Sequence, residues 1–476
     1  MTLLTTREMH RFDAAGHAFV YLVPSAAVFE LDDISRNVLD ALTDRLLTPE
    51  QLVGTLSNRH AISDLVTTLT ELRNIHAIGE ASDLEHTPQL DLPVEDFPLT
   101  TMVLNVTSKC NLACTYCYEY GEDRIADAEA TKPPFIDEAT ARQSVDFLVA
   151  SSGTNRRVHL TFFGGETLLN FKVLQSTVAY ARGKAESAGK AIDFSLTTNA
   201  TLLKPKVIDW LVENDVGVTI SIDGPKTAQD DVRVFKNGTG SYDIVLPRIR
   251  ELLRRHRTRP VGARVTLTKR NLNVLGIFRH LTEDLGFWEV GFAPVTTSSQ
   301  RDFAIDDPGY DTMLAQFEEL GNEFRDRAVA NRHHGFSNVR DTLEEIHKGV
   351  SKAYPCGAGL GLLGVATDGE VGLCHRFAGS EQHAIGSIIE GIDRERQREF
   401  LTAHHISNKT DCATCWARPL CAGGCYHEAY TRYGDTATPN LHYCDWIRRW
   451  TDTCLRIYGE VAVQNPGYLK QFDHAA

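Results

Sequence analysis

No stretch of about 18 consecutive apolar residues occurs in the 476-residue chain, so no transmembrane helix is expected. The opening residues, MTLLTTREMHRFDAAGHAF, show no basic segment followed by an apolar core. A secretory signal is therefore not expected, and the cytoplasm is the expected compartment. Positive charge is in deficit: 49 Lys and Arg stand against 63 Asp and Glu, a net charge of −14. That balance argues against a nucleic-acid surface. Internal repeats and low-complexity tracts are also absent. What remains is the composition of a globular protein, 42% hydrophobic and 24% charged, too long for one ordinary core.

Cysteine is missing from residues 118–355 and concentrated on either side. Cys110, Cys114 and Cys117 cluster early, and eight more lie between Cys356 and Cys454. In a reducing compartment such short spacings favour metal sites over disulfides.

Four regions follow from patterning. Residues 1–85 combine strand-like AFVYLV and AVFELD with three short helices, a winged-helix-like module. Asp32 or Asp33 and Thr48 are expected N-caps, the latter followed by Pro49 at the first helical position. Residues 86–100 are polar, proline-containing and aperiodic, and read as a linker. From 101 to 340 the β-rich runs MVLNVT, VHLTFF, DFSLTTN, GVTISIDG and ARVTLT alternate with helical patterns. That alternation predicts an α/β fold of βαβ units around a parallel sheet, with chemistry at the C-terminal ends of the strands. Residues 341–476 are rich in glycine and cysteine, a domain organised around metal.

The residues of interest fall at the expected strand ends. Cys110-x3-Cys114-x2-Cys117 follows MVLNVT. Three thiolates on one loop hold three irons of a [4Fe–4S] cluster and leave the fourth open to an external ligand; a zinc site with a fourth ligand elsewhere is the alternative. Gly164-Gly165-Glu166 follows HLTFF, Thr198-Asn199 follows FSLT, Ser221 lies near the end of VTISI and Asp223 directly follows it. A plain β–α turn with a helix-capping glutamate is the alternative for Glu166. Further on, Cys356 is followed by Gly369 and Cys374, then Cys412-x2-Cys415-x5-Cys421-x3-Cys425 and Cys444.

These motifs, in this order, resemble the radical S-adenosylmethionine (radical SAM) superfamily. The resemblance implies a partial (β/α)6 barrel, S-adenosylmethionine on the open iron, and SAM contacts from Tyr116, Gly164, Gly165, Glu166, Thr198, Asn199 and Ser221. The seven later cysteines resemble the SPASM domain of radical SAM enzymes that modify peptides, which implies two auxiliary [4Fe–4S] clusters, three in all. The family's interleaved ligation gives Cys412, Cys415, Cys421 and Cys444 to one, and Cys356, Cys374 and Cys425 to the other. Relatives that activate sulfatases carry a further cysteine soon after the first SPASM position, whereas residues 357–373 contain none here. The three-thiol set then has an open iron, a non-cysteine ligand, or Cys454, which is otherwise a buried core thiol.

Over its length the chain resembles the maturases of quinohemoprotein amine dehydrogenase, through CNLACTYCYEYGED, FFGGETLLNF, SIDGPKTAQDDVRVF and the seven-cysteine set. That resemblance implies thioether bonds from cysteine sulfur to methylene carbons of Asp or Glu in a small subunit. It also implies that residues 1–85 hold a leader peptide, that a low-potential electron donor is needed, and that neither nucleic acid nor membrane is a partner. Asp223 is the candidate base for the attacking thiol, with SAM ribose binding as its rival role. Other peptide modifications by the same machinery are carbon–carbon crosslinking and formylglycine formation; a non-catalytic iron–sulfur electron carrier or zinc scaffold is the alternative from another class.

Overall fold

The computed structural model describes residues 2–82, 97–118, 123–125 and 132–473. A short antiparallel pair, β1 (Leu4–Thr6) with β5 (Ile78–Glu80), ties the start of the N-terminal module to its end. Between them lie β2 (Met9–Ala14), β3 (His17–Leu22) and β4 (Ala27–Leu31), an antiparallel sheet in the order β2-β3-β4. Then come α1 (Asp33–Leu42), α2 (Pro49–Leu56) and α3 (Ile62–Asn74). Asp32 caps α1 by accepting from Ser35 N, and Thr48 with Gln51 forms a capping box ahead of Pro49. Helix starts are legible from sequence because the cap is a local side-chain contact.

β3 is apolar on both faces for a reason. Val20 and Leu22 pack with Leu39, Leu65 and the rest of the module's own core, whereas Phe19 and Tyr21 join the main core. The second face rests on a long C-terminal helix at Gly459, where a Cβ would stand 2.9 Å from Ala14 Cβ.

The central sheet is built from β6 (Thr101–Thr107), β7 (Arg157–Gly164), β8 (Ala191–Thr198), β9 (Gly217–Ser221), β10 (Gly262–Leu267) and β11 (Glu289–Pro294), parallel and adjacent in chain order. α4 (Glu138–Ser151), α5 (Phe171–Ser187), α6 (Pro205–Glu213), α7 (Lys226–Val232), α8 (Tyr242–Arg255) and α9 (Val274–Arg279) connect them. Helix crossovers between parallel neighbours bring all six strand C-termini to one rim. β11, the sixth strand, lay outside the five β-rich runs of the sequence. α10 (Asp307–Val329) and α11 (Ser337–His347) complete this region.

The C-terminal region does not start a new sheet. β12 (Leu362–Val365) pairs in parallel with β6, and β13 (Glu370–Gly372), β14 (Ala384–Ser387) and β15 (Gly391–Ile392) extend the sheet antiparallel to ten strands. Strands this short carry too little periodicity to be read from sequence. α12 (Arg394–His404), the short α13 (Thr410–Ala413) and α14 (Arg418–Cys421), α15 (Tyr426–Tyr433) and α16 (Cys444–Gln464) follow. α16 packs against α10, α11 and β2, joining both ends of the chain to the centre. Most of the expected linker, 86–96 of 86–100, lies outside the described residues, as do 83–85 at the end of the expected module. Among the described residues no helix is long and apolar enough to cross a membrane.

Candidate functional site

The loop after β6 is held by its neighbours' backbone. Ala113 N and Thr115 N donate to Val234 O and Val232 O, and Glu166 N donates to Lys109 O. So fixed, Cys110, Cys114 and Cys117 line a cavity of ≈ 630 Å3 together with Tyr116, Gly164, Gly165, Thr198, Asn199 and Ser221. The ends of β6, β7, β8 and β9 thus bring these expected residues to one place. Gly164 has φ +124°, and a Cβ there would stand 2.3 Å from Thr107 O, so only glycine fits. Asn199 Nδ2 points at Cys110 Sγ, 3.7 Å away.

Two expected residues do not line the cavity. Glu166 is fully buried, and its carboxylate accepts from Leu168 N (3.0 Å), Thr198 Oγ1 (2.7 Å) and Asn199 N (2.9 Å). It caps the turn after β7 and secures the Thr198-Asn199 segment, as the capping alternative expects. Asp223 is likewise sequestered. It accepts from Tyr116 Oη (2.5 Å), Arg233 Nε (2.8 Å) and Thr266 N (2.9 Å). So held, it orients Tyr116 and Arg233, whose guanidinium carbon lies 5.4 Å from the Tyr116 ring centre.

The later cysteines gather in two further sets. Cys412, Cys415, Cys421 and Cys444, from α13, the turn beyond it, α14 and the start of α16, line one small cavity with Arg418 and Arg448. Cys356, Cys374 and Cys425 sit together: burial first, then the neighbouring Cys425 sulfur, raises the thiols of Cys356 and Cys374. Cys454 joins neither: it is fully buried on α16 within the main core, its thiol against Thr342. It is therefore not the missing ligand of the three-thiol set.

Burial pushes the Cys110 and Cys114 thiols up to about 11, Cys412 to about 11 and Cys374 to about 12. Buried thiols of this kind are poor nucleophiles by themselves, and a bound metal deprotonates such ligands outright. All eleven cysteines are free of disulfides. Among the described residues no three His, Cys, Asp or Glu side chains stand close enough to hold a single metal ion. A loop of three thiols before a large cavity, with an amide aimed at one sulfur, is a donor set that fits a [4Fe–4S] cluster and a small ligand beside it.

Arg233, Arg264, Thr266, His375 and Arg376 also line the cavity and were not anticipated. Arg233 lies inside the SIDGPKTAQDDVRVF segment but carries no spacing signal of its own. Arg264 had one: a charged residue among the apolar alternates Ala263, Val265 and Leu267 of a central parallel strand.

Residues 104–271 match the family model described as "Radical SAM superfamily". The serine-type anaerobic sulfatase-maturating enzyme of Bacteroides thetaiotaomicron is 30% identical over 375 residues, 73% of this chain and 86% of that one. The radical SAM cyclopropyl synthase TigE of Paramaledivibacter caminithermalis is 21% identical over 72% of this chain and 71% of its own length. Among solved structures, anSMEcpe with bound AdoMet superposes with a TM-score of 0.65 at 20% identity, covering 77% of this chain and 99% of that one. Streptococcus suis SuiB bound to S-adenosylmethionine gives 0.50 at 14% identity over 91% and 98%.

Proposed function

From the premise that this chain belongs to the radical SAM superfamily, we propose that it modifies a polypeptide, forming thioether bonds between cysteine sulfur and Asp or Glu methylene carbons. The observation that carries the reading is the three-thiol loop facing a cavity of ≈ 630 Å3, with two further cysteine sets in the C-terminal region. Superfamily membership implies S-adenosylmethionine and one [4Fe–4S] cluster, held by Cys110, Cys114 and Cys117. Cys412, Cys415, Cys421 and Cys444 would hold a second cluster, and Cys356, Cys374 and Cys425 a third. Bound there, these groups supply a 5′-deoxyadenosyl radical and a sink for the electron that leaves when a C–S bond forms.

The chain's own residues orient and shield. Gly164 and Gly165 let backbone approach a ligand closely, Tyr116 offers a ring to an adenine, and Ser221, Thr198 and Asn199 offer polar contacts. Asp223 fixes Tyr116 and Arg233, and in this reading it is the candidate base for the attacking thiol, with SAM ribose binding as its rival role. The outer strands β2 and β4 each pair on one side only among the described residues, so the module offers a sheet edge to a leader peptide. The substrate in this reading is the small Cys-, Asp- and Glu-containing subunit of quinohemoprotein amine dehydrogenase. Formylglycine formation is the second reading, favoured by the likeness to a sulfatase-maturating enzyme.

The test incubates the anaerobically reconstituted protein with S-adenosylmethionine, a reductant and the small-subunit peptide, followed by mass spectrometry. Loss of two hydrogens per bond, thiols that no longer alkylate, and fragments linking Cys to Asp or Glu are expected. An unmodified peptide beside abundant 5′-deoxyadenosine overturns the substrate, and oxidation without thiol loss moves the assignment to the second reading.

A further inference from the structure

The cavity holds more positive charge than the roles above use. Arg264 stands on β10 in register with Ser221 of β9 and Gly291 of β11, its side chain on the cavity side. Gly291 makes room for it: a Cβ there would lie 3.2 Å from Arg264 Nη1. No hydrogen bond or ion pair engages this guanidinium among the described residues. Its charged neighbours are Arg376, which repels it, and Asp341, already paired with Arg340 at 2.8 Å. Arg376 reaches the same cavity from the segment after Cys374, donating to Thr296 Oγ1 at 2.8 Å and lying 4.5 Å from the centre of the Tyr118 ring. The third cation, Arg233, is spent on Asp223.

Arg264 is exposed to the space in front of the strand ends and Arg376 is half-buried beside it, so among the described residues two like charges without a carboxylate partner face one cavity and repel each other. An anion bound between Arg264 and Arg376 relieves that repulsion. Its shape follows from the donors, since a guanidinium presents a planar fork that matches a carboxylate in two parallel hydrogen bonds. Ser221 and the residues at the ends of β6 to β8 are the ones expected to contact S-adenosylmethionine, whereas Arg264 and Arg376 come from β10 and the C-terminal segment. We infer that Arg264, backed by Arg376, binds a side-chain carboxylate of the polypeptide substrate and so selects Asp or Glu as the residue presented to the cavity. This rests on the peptide-modifying reading and names the residue class it takes. An amide of the same shape leaves the guanidinium without its counter-charge, so Asn and Gln are rejected.

The experiment uses the full-length, reconstituted, S-adenosylmethionine-loaded protein without reductant. Capped pentapeptides with a central Asp or Glu are titrated calorimetrically against their Asn and Gln counterparts. The carboxylate peptides should bind about tenfold more tightly or better, the scale of a charge-assisted hydrogen bond. Arg264→Gln should abolish that preference, and Arg264→Lys should keep part of it, which separates lost charge from lost fold. Equal binding of all four peptides by the unaltered protein overturns the inference. So does a preference that survives in Arg264→Gln, or a variant whose defect is confined to S-adenosylmethionine affinity. Because no turnover is read, failure here is distinct from failure of the thioether reading, which shows only in product mass.

Discussion

The loop after β6 and the α13–α16 segment put the same residue to different uses. Cys110, Cys114 and Cys117 stand before a cavity of ≈ 630 Å3 lined by hydroxyls, an amide and glycine backbone. Cys412, Cys415, Cys421 and Cys444 close on one another, with Arg418 and Arg448 against them. Ligand number and access change together: three thiols with space in front, four thiols without it. A metal site with a free position and an adjoining cavity admits a reactant, whereas a fully ligated one is closed to it. The set of Cys356, Cys374 and Cys425 lies between these cases, with three thiols and a link to the cavity through His375 and Arg376. In the proposed reading, reaction belongs to the open set and electron storage to the later ones.

The largest expected effect lies on the open side. Cys114→Ala should reduce 5′-deoxyadenosine formation to the level without enzyme and remove one cluster's iron, read by product assay and iron analysis. Cys415→Ala should instead lower the ratio of modified peptide to deoxyadenosine. If the two variants lose deoxyadenosine equally, the division fails. Next comes Asp223→Asn, which leaves the buried Arg233 without its counter-charge and takes an anionic acceptor from Tyr116. Breaking a buried pair costs about 3–5 kcal/mol, measurable by denaturant unfolding. A variant as stable as its parent would show that this pair does not support the open site.

Much of this was legible before any coordinates. The cysteine spacings, Gly164 and the Thr48–Pro49 start are local signals, and each is set by residues within a few positions of one another. Glu166 and Asp223 were legible as strand-end positions, but the neighbours that hold them were not, because a strand-end carboxylate gives no sign of which side chains it meets. Their partners come from other segments: Thr198 for one, Tyr116 and Arg233 for the other. The continuity of β12–β15 with the barrel sheet was hidden for a related reason. Pairing of β12 with β6 joins residues over 250 positions apart, and four residues carry no usable period.

A smaller effect sharpens the comparison at Glu166. Burial holds its carboxyl above the ordinary 4.5 despite three hydrogen bonds to it. The folded chain therefore binds this proton more tightly than the unfolded chain. The group's contribution to stability is full below about 4.5 and is lost as pH rises through the folded-state value. Glu166→Gln removes that dependence, so the difference in unfolding free energy between acid and neutral pH should shrink relative to the parent. Altering hydrogen bonds to a buried group of this kind changes stability by about 1–3 kcal/mol. An unchanged pH profile would mean that Glu166 does not titrate against folding.

The smallest effect tests the boundary between core and cluster. Cys454 shares α16 with Cys444 but is ten residues further along the helix, inside the core rather than at its rim. Cys454→Ala removes one sulfur from a packed interior, a change of about 1 kcal/mol through lost contacts and a small cavity. Iron content should not change, because no cysteine of either C-terminal set neighbours it. Loss of one cluster's iron in this variant would place Cys454 with Cys356, Cys374 and Cys425. That set would then be four-fold and closed like its neighbour, and the contrast between open and closed thiols would be confined to the loop after β6.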